Sequence, residues 1–170
     1  MKVLKVLVLS ILAITAISCG DKKEKKSESF SYEKKSEAVK EGKNDANDIV
    51  ITGNDMMQFN KKEILVKAGE KVKITLKHMG KMDKNVMGHN FVLLKSGVDM
   101  MAFGVKAATA KGTEYIPDDG ADVIAHTKLI GGGETAVVEF DAPAAGIYDF
   151  LCSFPGHYAL MKGKFIVRGI

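Results

Sequence analysis

Near its C-terminus the chain reads Cys152-Ser153-Phe154-Pro155-Gly156-His157-Tyr158-Ala159-Leu160-Met161, which places a thiol, an imidazole and a thioether within ten residues. Residues 147 to 152 have the composition of a β-strand, and Pro155-Gly156 is typical of a turn. A strand that ends at the cysteine and reverses at this turn brings His157 and Met161 back toward the same point. The spacing therefore predicts that three side chains converge at one end of a strand.

A second imidazole lies far upstream, in Met87-Gly88-His89-Asn90. One cysteine, two histidines and a weak axial methionine are the ligands of a blue copper site. Thiolate and thioether are soft donors that suit Cu(I), and imidazole suits both oxidation states. A geometry acceptable to both states needs little rearrangement when one electron moves. His89, Cys152, His157 and Met161 are therefore the predicted ligands of one type 1 copper ion.

Strands dominate the chain from Asp48 onward. Apolar residues alternate with Lys and Thr at 71–77, as in a half-buried strand, and Gly and Pro separate the segments. Further strands are predicted at 49–51, 64–66, 89–94, 123–127, 135–140, 147–152 and 164–168. Val98 to Lys111 is rich in Ala and Met and is predicted to be a helix. Short antiparallel strands with one inserted helical flap predict an all-β Greek-key sandwich.

At these residues the chain resembles the azurins, a family of cupredoxins. Val86 to Asn90 and Cys152 to Gly163 resemble the two copper-binding segments of the family, and the resemblance covers roughly residues 49 to 167. It implies a cupredoxin-like copper sandwich with a helical flap. In the family, the carbonyl of the residue matching Gly88 is a distant fifth contact opposite the axial methionine. The residue matching Asn90 braces the loop and hydrogen-bonds near the cysteine sulfur.

Two departures from the family pattern lie away from the predicted ligands. Azurins usually carry a disulfide near the start of the domain, whereas the predicted domain has no cysteine except Cys152. They often place a buried Trp after the motif asparagine, and this chain, which has no Trp, has Phe91 there. Neither change touches a ligand, so we expect copper binding to be kept.

The resemblance also implies an apolar patch around His157 through which electrons leave. Its members are Met57, Met87, Phe154, Pro155 and Ala159. Exposed apolar patches mark interaction sites, and redox partners meet over small, weak interfaces. We therefore expect an electron-transfer protein and not an enzyme. The expected donors and acceptors are redox proteins such as c-type cytochromes or copper- or haem-containing reductases, and the domain is expected to be monomeric.

The first 18 residues predict a signal peptide. A positive start is followed by the apolar run Val6 to Ile17, which is too short for a transmembrane helix. Ala16-Ile17-Ser18-Cys19 resembles the bacterial lipobox, in which the signal is cut before a cysteine that becomes lipidated. The alternative is an ordinary secretory signal followed by an incidental cysteine. We expect a lipid on Cys19 and a periplasmic location. Gly20 supplies no inner-membrane retention signal, which favours the outer membrane.

Residues 19 to 47 are predicted to be the lipidated cysteine and a flexible, charged tether. Lys, Glu, Ser and Asp dominate there, and such a composition buries too little apolar surface to offset the entropy of ordering. The predicted organisation is therefore a signal peptide at 1–18, this tether at 19–47, and a cupredoxin domain at 48–170.

The overall charge argues against some classes of partner. The formal net charge is +4, and it falls to +2 once Lys2 and Lys5 leave with the signal peptide. A balance this small favours neither nucleic acid nor a strongly basic membrane patch. Hydrophobic residues make up 46% of the chain, which is enough for an ordinary globular core.

The two cysteines are predicted to have different roles. If Cys19 carries lipid, Cys152 is a lone thiol in an oxidising compartment, where free thiols are liable to oxidation. A metal ligand is the better explanation for such a residue beside His157 and Met161. The rival is a Cys19–Cys152 disulfide, which would consume both thiols and bind no copper.

Three other functional classes compete with the copper carrier. Cys152, His157 and Asn90 superficially resemble a Cys-His-Asn hydrolase, although no helix start lies beside the cysteine to activate it. The second class is a copper or zinc carrier, since a Cys-His-His set can also hold zinc. The third is a purely structural surface lipoprotein. A blue colour that bleaches on reduction distinguishes the copper protein from all three.

Other histidines and methionines stand outside the predicted ligand set. His78 is either a buried, pH-sensitive neighbour of the site or a hydrogen-bonded structural histidine, and His126 is predicted to lie on the surface. Seven further methionines are compatible with a methionine-rich copper store. These are Met56, Met57, Met79, Met82, Met87, Met100 and Met101. Packing in loops and in the helix is the simpler explanation, and the sequence favours it.

Overall fold

A computed structural model describes residues 47 to 169. The predicted signal peptide, Cys19 and all but the last residue of the predicted tether lie outside these residues. Within the described part, no helix is both long and apolar enough to cross a membrane.

Nine strands and two α-helices make up the described domain. In chain order they are β1 (Asp48–Asn54), β2 (Gln58–Phe59), β3 (Glu63–Lys67), β4 (Lys71–His78), α1 (Lys84–Met87), β5 (Val92–Leu94), α2 (Met100–Ala107), β6 (Val123–His126), β7 (Thr135–Asp141), β8 (Gly146–Leu151) and β9 (Lys162–Arg168). Short 3₁₀ turns lie at Lys111–Thr113, Asp118–Gly120 and His157–Ala159.

The strands form two sheets that enclose one core. One sheet has the order β2-β1-β4-β7 and the other β3-β9-β8-β5-β6. The predicted all-β sandwich with a helical flap is confirmed. The expectation of antiparallel pairing is wrong for two pairs, because β1 runs parallel to β4 and β3 runs parallel to β9. Neither pair is joined by a hairpin, and strands without a tight connection are free to pair in parallel.

Burial follows the alternation in the sequence. In β4 the residues Val72, Ile74 and Leu76 are fully buried, whereas Lys71 and Lys77 are exposed. Burying one face of each sheet against the other removes apolar area from water, which stabilises the sandwich by about 25 cal/mol per Å². Phe91 belongs to this core. It is fully buried and its ring stacks on Phe150 with centroids 5.4 Å apart.

The elements nearest the predicted site differ most from the sequence expectations. His89 lies outside β5, in an isolated bridge to Ile130, so the strand predicted from residue 89 begins three residues later. Helix α2 is shorter than predicted. Asp99 caps its N-terminus by accepting hydrogen bonds from the Met101 and Ala102 N–H groups, which explains where the helix begins. The sequence did not predict β2 or α1.

Candidate metal centre

The loop after β8 brings Cys152 and His157 together through its own backbone. The Cys152 N–H donates to the Met161 carbonyl at 2.9 Å, which closes the loop at its base. The Met161 N–H donates in turn to the His157 carbonyl at 2.8 Å. Gly156 has φ +82°, a left-handed conformation that glycine adopts without strain, and it starts the 3₁₀ turn that carries His157. The loop therefore folds back on its own cysteine.

His89 is held by Ile130, which follows β6, and by Asn54, at the end of β1. Its backbone exchanges two hydrogen bonds with Ile130, each 2.9 Å long. The ring nitrogen Nε2 lies 2.9 Å from the Asn54 carbonyl at the end of β1. That contact fixes the ring orientation and directs Nδ1 toward Cys152. The sequence did not predict this part played by Asn54, because the contact uses a backbone carbonyl that every residue type carries.

The donor atoms of His89, Cys152 and His157 face one point. The Cys152 sulfur lies 3.6 Å from His157 Nδ1 and 3.9 Å from His89 Nδ1, and all three donor atoms lie within 4.8 Å of one another. Metal bonds of about 2.0 Å to imidazole nitrogen and about 2.3 Å to thiolate sulfur, spread at 120°, place N and S about 3.7 Å apart. The donor set therefore fits one trigonally bound transition metal.

All three donors are buried, and burial decides their protonation before metal binds. It raises the pKa of the Cys152 thiol to about 12, since a thiolate is poorly solvated there. It lowers the pKa of His157 to about 4 and also lowers the pKa of His89. At neutral pH both imidazoles are uncharged and have a lone pair available. Metal binding must then displace a single proton, from the cysteine.

Met161 is fully buried beside His89. Gly53 in β1 backs both residues. A β-carbon on Gly53 would lie 2.7 Å from His89 Cδ2 and 3.2 Å from the Met161 methyl carbon. A larger residue would displace the imidazole ring and press on the thioether. Gly53 thus leaves the space in which the axial methionine of the predicted site lies next to His89.

The Gly88 carbonyl faces the donors. Its oxygen lies 2.9 Å from His89 Nδ1 and 3.8 Å from the Cys152 sulfur. Gly88 is itself buried, and a β-carbon there would lie 2.9 Å from the Phe154 ring. The close approach of the loops therefore requires glycine at this position. The location agrees with the carbonyl contact that the resemblance implies.

Asn90 ties the two predicted copper-binding segments together. Its Oδ1 accepts from the Ser153 N–H at 2.9 Å and its Nδ2 donates to Ser153 Oγ at 2.8 Å. The backbone N–H groups of Asn90 and Phe154 donate to the Cys152 sulfur and favour its thiolate form. In a Cys-His-Asn hydrolase the asparagine would orient the histidine. Here Asn90 is hydrogen-bonded to Ser153 and to Glu114 and not to His157, which argues against that alternative.

The predicted electron-transfer patch is partly exposed around the His157 loop. Ala159 is exposed, and Met57, Met87 and Pro155 are half-buried. Phe154 is buried and packs on the His157 ring with centroids 4.7 Å apart, so it supports the patch from beneath. The sequence missed two exposed neighbours in the same segments, Leu160 and Val86, which are 54% and 57% exposed.

His78 is a buried neighbour of the site. Its ring stacks on His89 with centroids 4.1 Å apart and an interplanar angle of 12°. Nδ1 accepts from the Gly80 N–H at 3.0 Å, so Nε2 carries the proton and donates to the Met87 carbonyl at 2.8 Å. Both nitrogens are engaged, which supports the structural role. His126 is exposed, as expected.

Comparisons with known proteins point to the same chemistry. The family model for copper binding proteins of the plastocyanin/azurin family matches residues 45–168. Azurin-1 of Alcaligenes xylosoxydans xylosoxydans is 54% identical over 117 residues, which span 66% of this chain and 91% of that protein. Outer membrane protein H.8 of Neisseria meningitidis serogroup B is 50% identical over 117 residues, which span 67% of this chain and 63% of that protein. The solved structure of auracyanin A, a "blue" copper protein of Chloroflexus aurantiacus, matches with a TM-score of 0.65 at 35% identity, over 71% of this chain and 98% of that one.

Proposed function

Since the chain belongs to the plastocyanin/azurin family of copper-binding proteins, we propose that its copper is bound by His89, Cys152 and His157, with Met161 as axial ligand. Copper is the cofactor, and the chain is an azurin-like electron carrier. Bound copper supplies a one-electron couple between Cu(II) and Cu(I). We further propose that the Gly88 carbonyl is a distant fifth contact of the copper. We also propose that the protein is located in the periplasm and attached to a membrane by a lipid anchor.

The observation that carries this proposal is the buried triangle of His89 Nδ1, Cys152 Sγ and His157 Nδ1. Each donor is positioned by contacts outside the metal: Asn54 holds His89, Asn90 holds the cysteine loop, and the loop backbone holds His157. Donors held in this way change little between two oxidation states, which keeps the reorganisation that accompanies electron transfer small.

The rival functions fit the site less well. A nucleophilic cysteine needs a lowered pKa, and burial raises the pKa of the Cys152 thiol to about 12. Zinc prefers imidazole, thiolate, carboxylate or water in a tetrahedral set. Here the side chain proposed as the fourth ligand is the buried thioether of Met161, which lies beside His89. A thioether is a soft ligand, and it favours copper over zinc.

We propose that electrons enter and leave the protein through the predicted patch around His157. His157 is buried, with 3% of its surface exposed, and Ala159 and Leu160 of the same loop are exposed. A partner that covers this patch comes close to a metal ligand without having to open the domain. The patch is small and apolar, as suits a weak encounter between redox proteins.

The exchange of electrons between oxidised and reduced copies of the protein tests this port. We expect Met87→Lys to slow self-exchange by at least about tenfold, equivalent to about 1.4 kcal/mol, because two ammonium groups must approach each other across an apolar contact. NMR line broadening of mixed oxidation states measures the rate. The colour should be unchanged, since Met87 contacts His78 through its backbone carbonyl, which the substitution keeps.

Ile147→Lys is the matched control, because Ile147 is 66% exposed near the start of β8, at the opposite end of the strand from Cys152, and the substitution adds the same charge there. It should leave self-exchange near the wild-type rate. Equal rates for Met87→Lys and wild type would show that electrons use another route.

The membrane anchor is proposed on the lipobox-like sequence that ends at Cys19. One finding supports it, and the fold is compatible with it. One relative is named as an outer membrane protein. In addition, β1 begins at Asp48 and ends at Asn54, whose carbonyl contacts His89. Six residues of strand span about 20 Å at about 3.3 Å per residue, so Asp48 lies about that far from the site. An anchor at that end leaves the patch accessible to partners.

Mass spectrometry of the mature protein tests the anchor. We expect an N-terminal Cys19 that carries acyl chains, each buried CH₂ of which contributes about 0.8 kcal/mol to membrane binding. Cys19→Ser should release the protein into the soluble fraction. A mature N-terminus at any other residue, or an unmodified Cys19, would overturn the assignment.

A further inference from the structure

Packing explains some methionines of the described domain but not all of them. Met161 is fully buried, whereas Met56, Met79, Met82 and Met101 are 65%, 67%, 41% and 54% exposed. An exposed methionine gains little from burial and remains open to oxidation. Met101 lies on α2. The other three lie on two turns that contact each other.

The Asp55 carboxylate joins these two turns. It accepts from the Lys81 N–H at 2.9 Å and from the Met82 N–H at 3.4 Å. Gly80 lies so close to this carboxylate that a β-carbon there would overlap it. The turn from Gly80 to Met82 therefore wraps around the Asp55 side chain.

Met56 follows Asp55 in the chain, and Met79 precedes Gly80, which lies against the Asp55 carboxylate. The Met56 N–H donates to Asn54 Oδ1 at 3.0 Å, which holds Met56 in the turn that follows β1. The Met79 N–H donates to the Gly53 carbonyl at 2.8 Å, which fixes the start of the second turn to the end of β1. Three exposed thioether side chains thus start from the two turns that the Asp55 carboxylate joins.

The chemistry of this group suits a soft monovalent cation. We propose that Met56, Met79 and Met82 bind one Cu(I) ion at the surface beside Asp55, separate from the buried copper. Thioethers are soft neutral donors that select Cu(I), and the three rotatable bonds of methionine let the sulfurs turn toward one point. Neither oxidation nor reduction takes place on binding, and no thioether has a proton to lose.

The Asp55 carboxylate offsets the charge of the cation. The Lys81 N–H, followed by the Met82 N–H, holds the pKa of Asp55 below its usual value, so the group is ionised at neutral pH. The nearby Lys81 side chain is exposed and opposes a cation, but its charge is free to move away into water.

This surface group lies next to the proposed copper centre. Asn54, which positions Met56 through its side chain, also contacts His89 Nε2 through its backbone carbonyl at 2.9 Å. A Cu(I) ion held on Met56, Met79 and Met82 would therefore lie near the end of β1 that also contacts His89.

A Cu(I) titration of the full-length, copper-loaded and reduced protein tests the site. Under anaerobic conditions, with bicinchoninate as the competing chelator, we expect one further equivalent of Cu(I) per chain. The variant M56L/M79L/M82L should lose this equivalent, because Leu keeps the apolar volume and removes the sulfur. Met101→Leu should keep it. Both variants should retain the blue colour when oxidised, which separates this result from the fate of the first site.

Two more measurements keep the test decisive. Met79→Leu alone, at the most exposed of the three, should weaken competition for the extra equivalent by at least tenfold without a change in packing. Ag(I), added to protein labelled with ¹³C in its methionine methyl groups, should shift the Met56, Met79 and Met82 signals and leave Met101 in place. An unchanged stoichiometry of one, retention of the equivalent in the triple variant, or an equal shift at Met101 would overturn the proposal.

Discussion

We expect Cys152→Ser to abolish the intense visible absorption of the copper-loaded protein. The colour of such a site depends on a soft thiolate bound to Cu(II). A serine hydroxyl is a harder donor, and burial at this fully enclosed position disfavours the alkoxide even more strongly than it disfavours the Cys152 thiolate. Absorption and electron paramagnetic resonance spectra of the variant with added Cu(II) provide the measurement. A strong band that persists would show that Cys152 is not a ligand.

The fold should survive this change. Oxygen is smaller than sulfur, and the N–H groups of Asn90 and Phe154 that donate to the Cys152 sulfur can donate to a hydroxyl instead. We expect a loss of about 1 kcal/mol in the free energy of unfolding of the metal-free protein, the size of one altered hydrogen bond. Cys19→Ser is the matched control and should stay blue. A colourless wild-type protein together with a blue Cys19→Ser variant would favour a Cys19–Cys152 disulfide, because the substitution would free the Cys152 thiol.

Met161 should set the reduction potential. We expect Met161→Leu to raise it, because the loss of the thioether and a drier site disfavour Cu(II), and Met161→Gln to lower it, because an oxygen donor favours Cu(II). A shift of about 59 mV for one electron is a tenfold change in the relative stability of the two states, and we expect at least that in each direction. Voltammetry on the three proteins measures the shifts.

The structure makes this test selective. Met161 is fully buried beside His89, so Leu fills the same space without admitting water. Met101→Leu is a matched control at an exposed position on α2, and its potential should equal that of the wild type. Equal potentials for wild type, Met161→Leu and Met161→Gln would place Met161 away from the metal.

Much of the site could be predicted from the sequence because three of its four predicted ligands lie in one short segment. A strand, a Pro155-Gly156 turn and a return of the chain are local events, so the distance from Cys152 to His157 and Met161 is set by a few backbone angles. The sandwich was readable for a similar reason. Alternation such as that of β4 reports which face of a strand is buried, and the structure follows it residue by residue.

The contacts that hold the site in place could not be predicted from the sequence. The Asn54 carbonyl and Gly53 act on His89 from 35 and 36 residues away, and the stacking of His78 on the same ring depends on how β4 meets the following loop. A backbone carbonyl has no signature in the sequence, and a missing side chain matters only once another element approaches it.

The sequence by itself determined the ligand types, their spacing and the strand-rich fold, because these depend on local geometry and donor chemistry. Tertiary structure decided the parallel pairing of β1 with β4, the burial of His89, and which methionines are buried. Met161 and Met79 are the same residue type, yet one is fully buried and the other 67% exposed. That difference arises from packing between segments far apart in the chain, which no local pattern encodes.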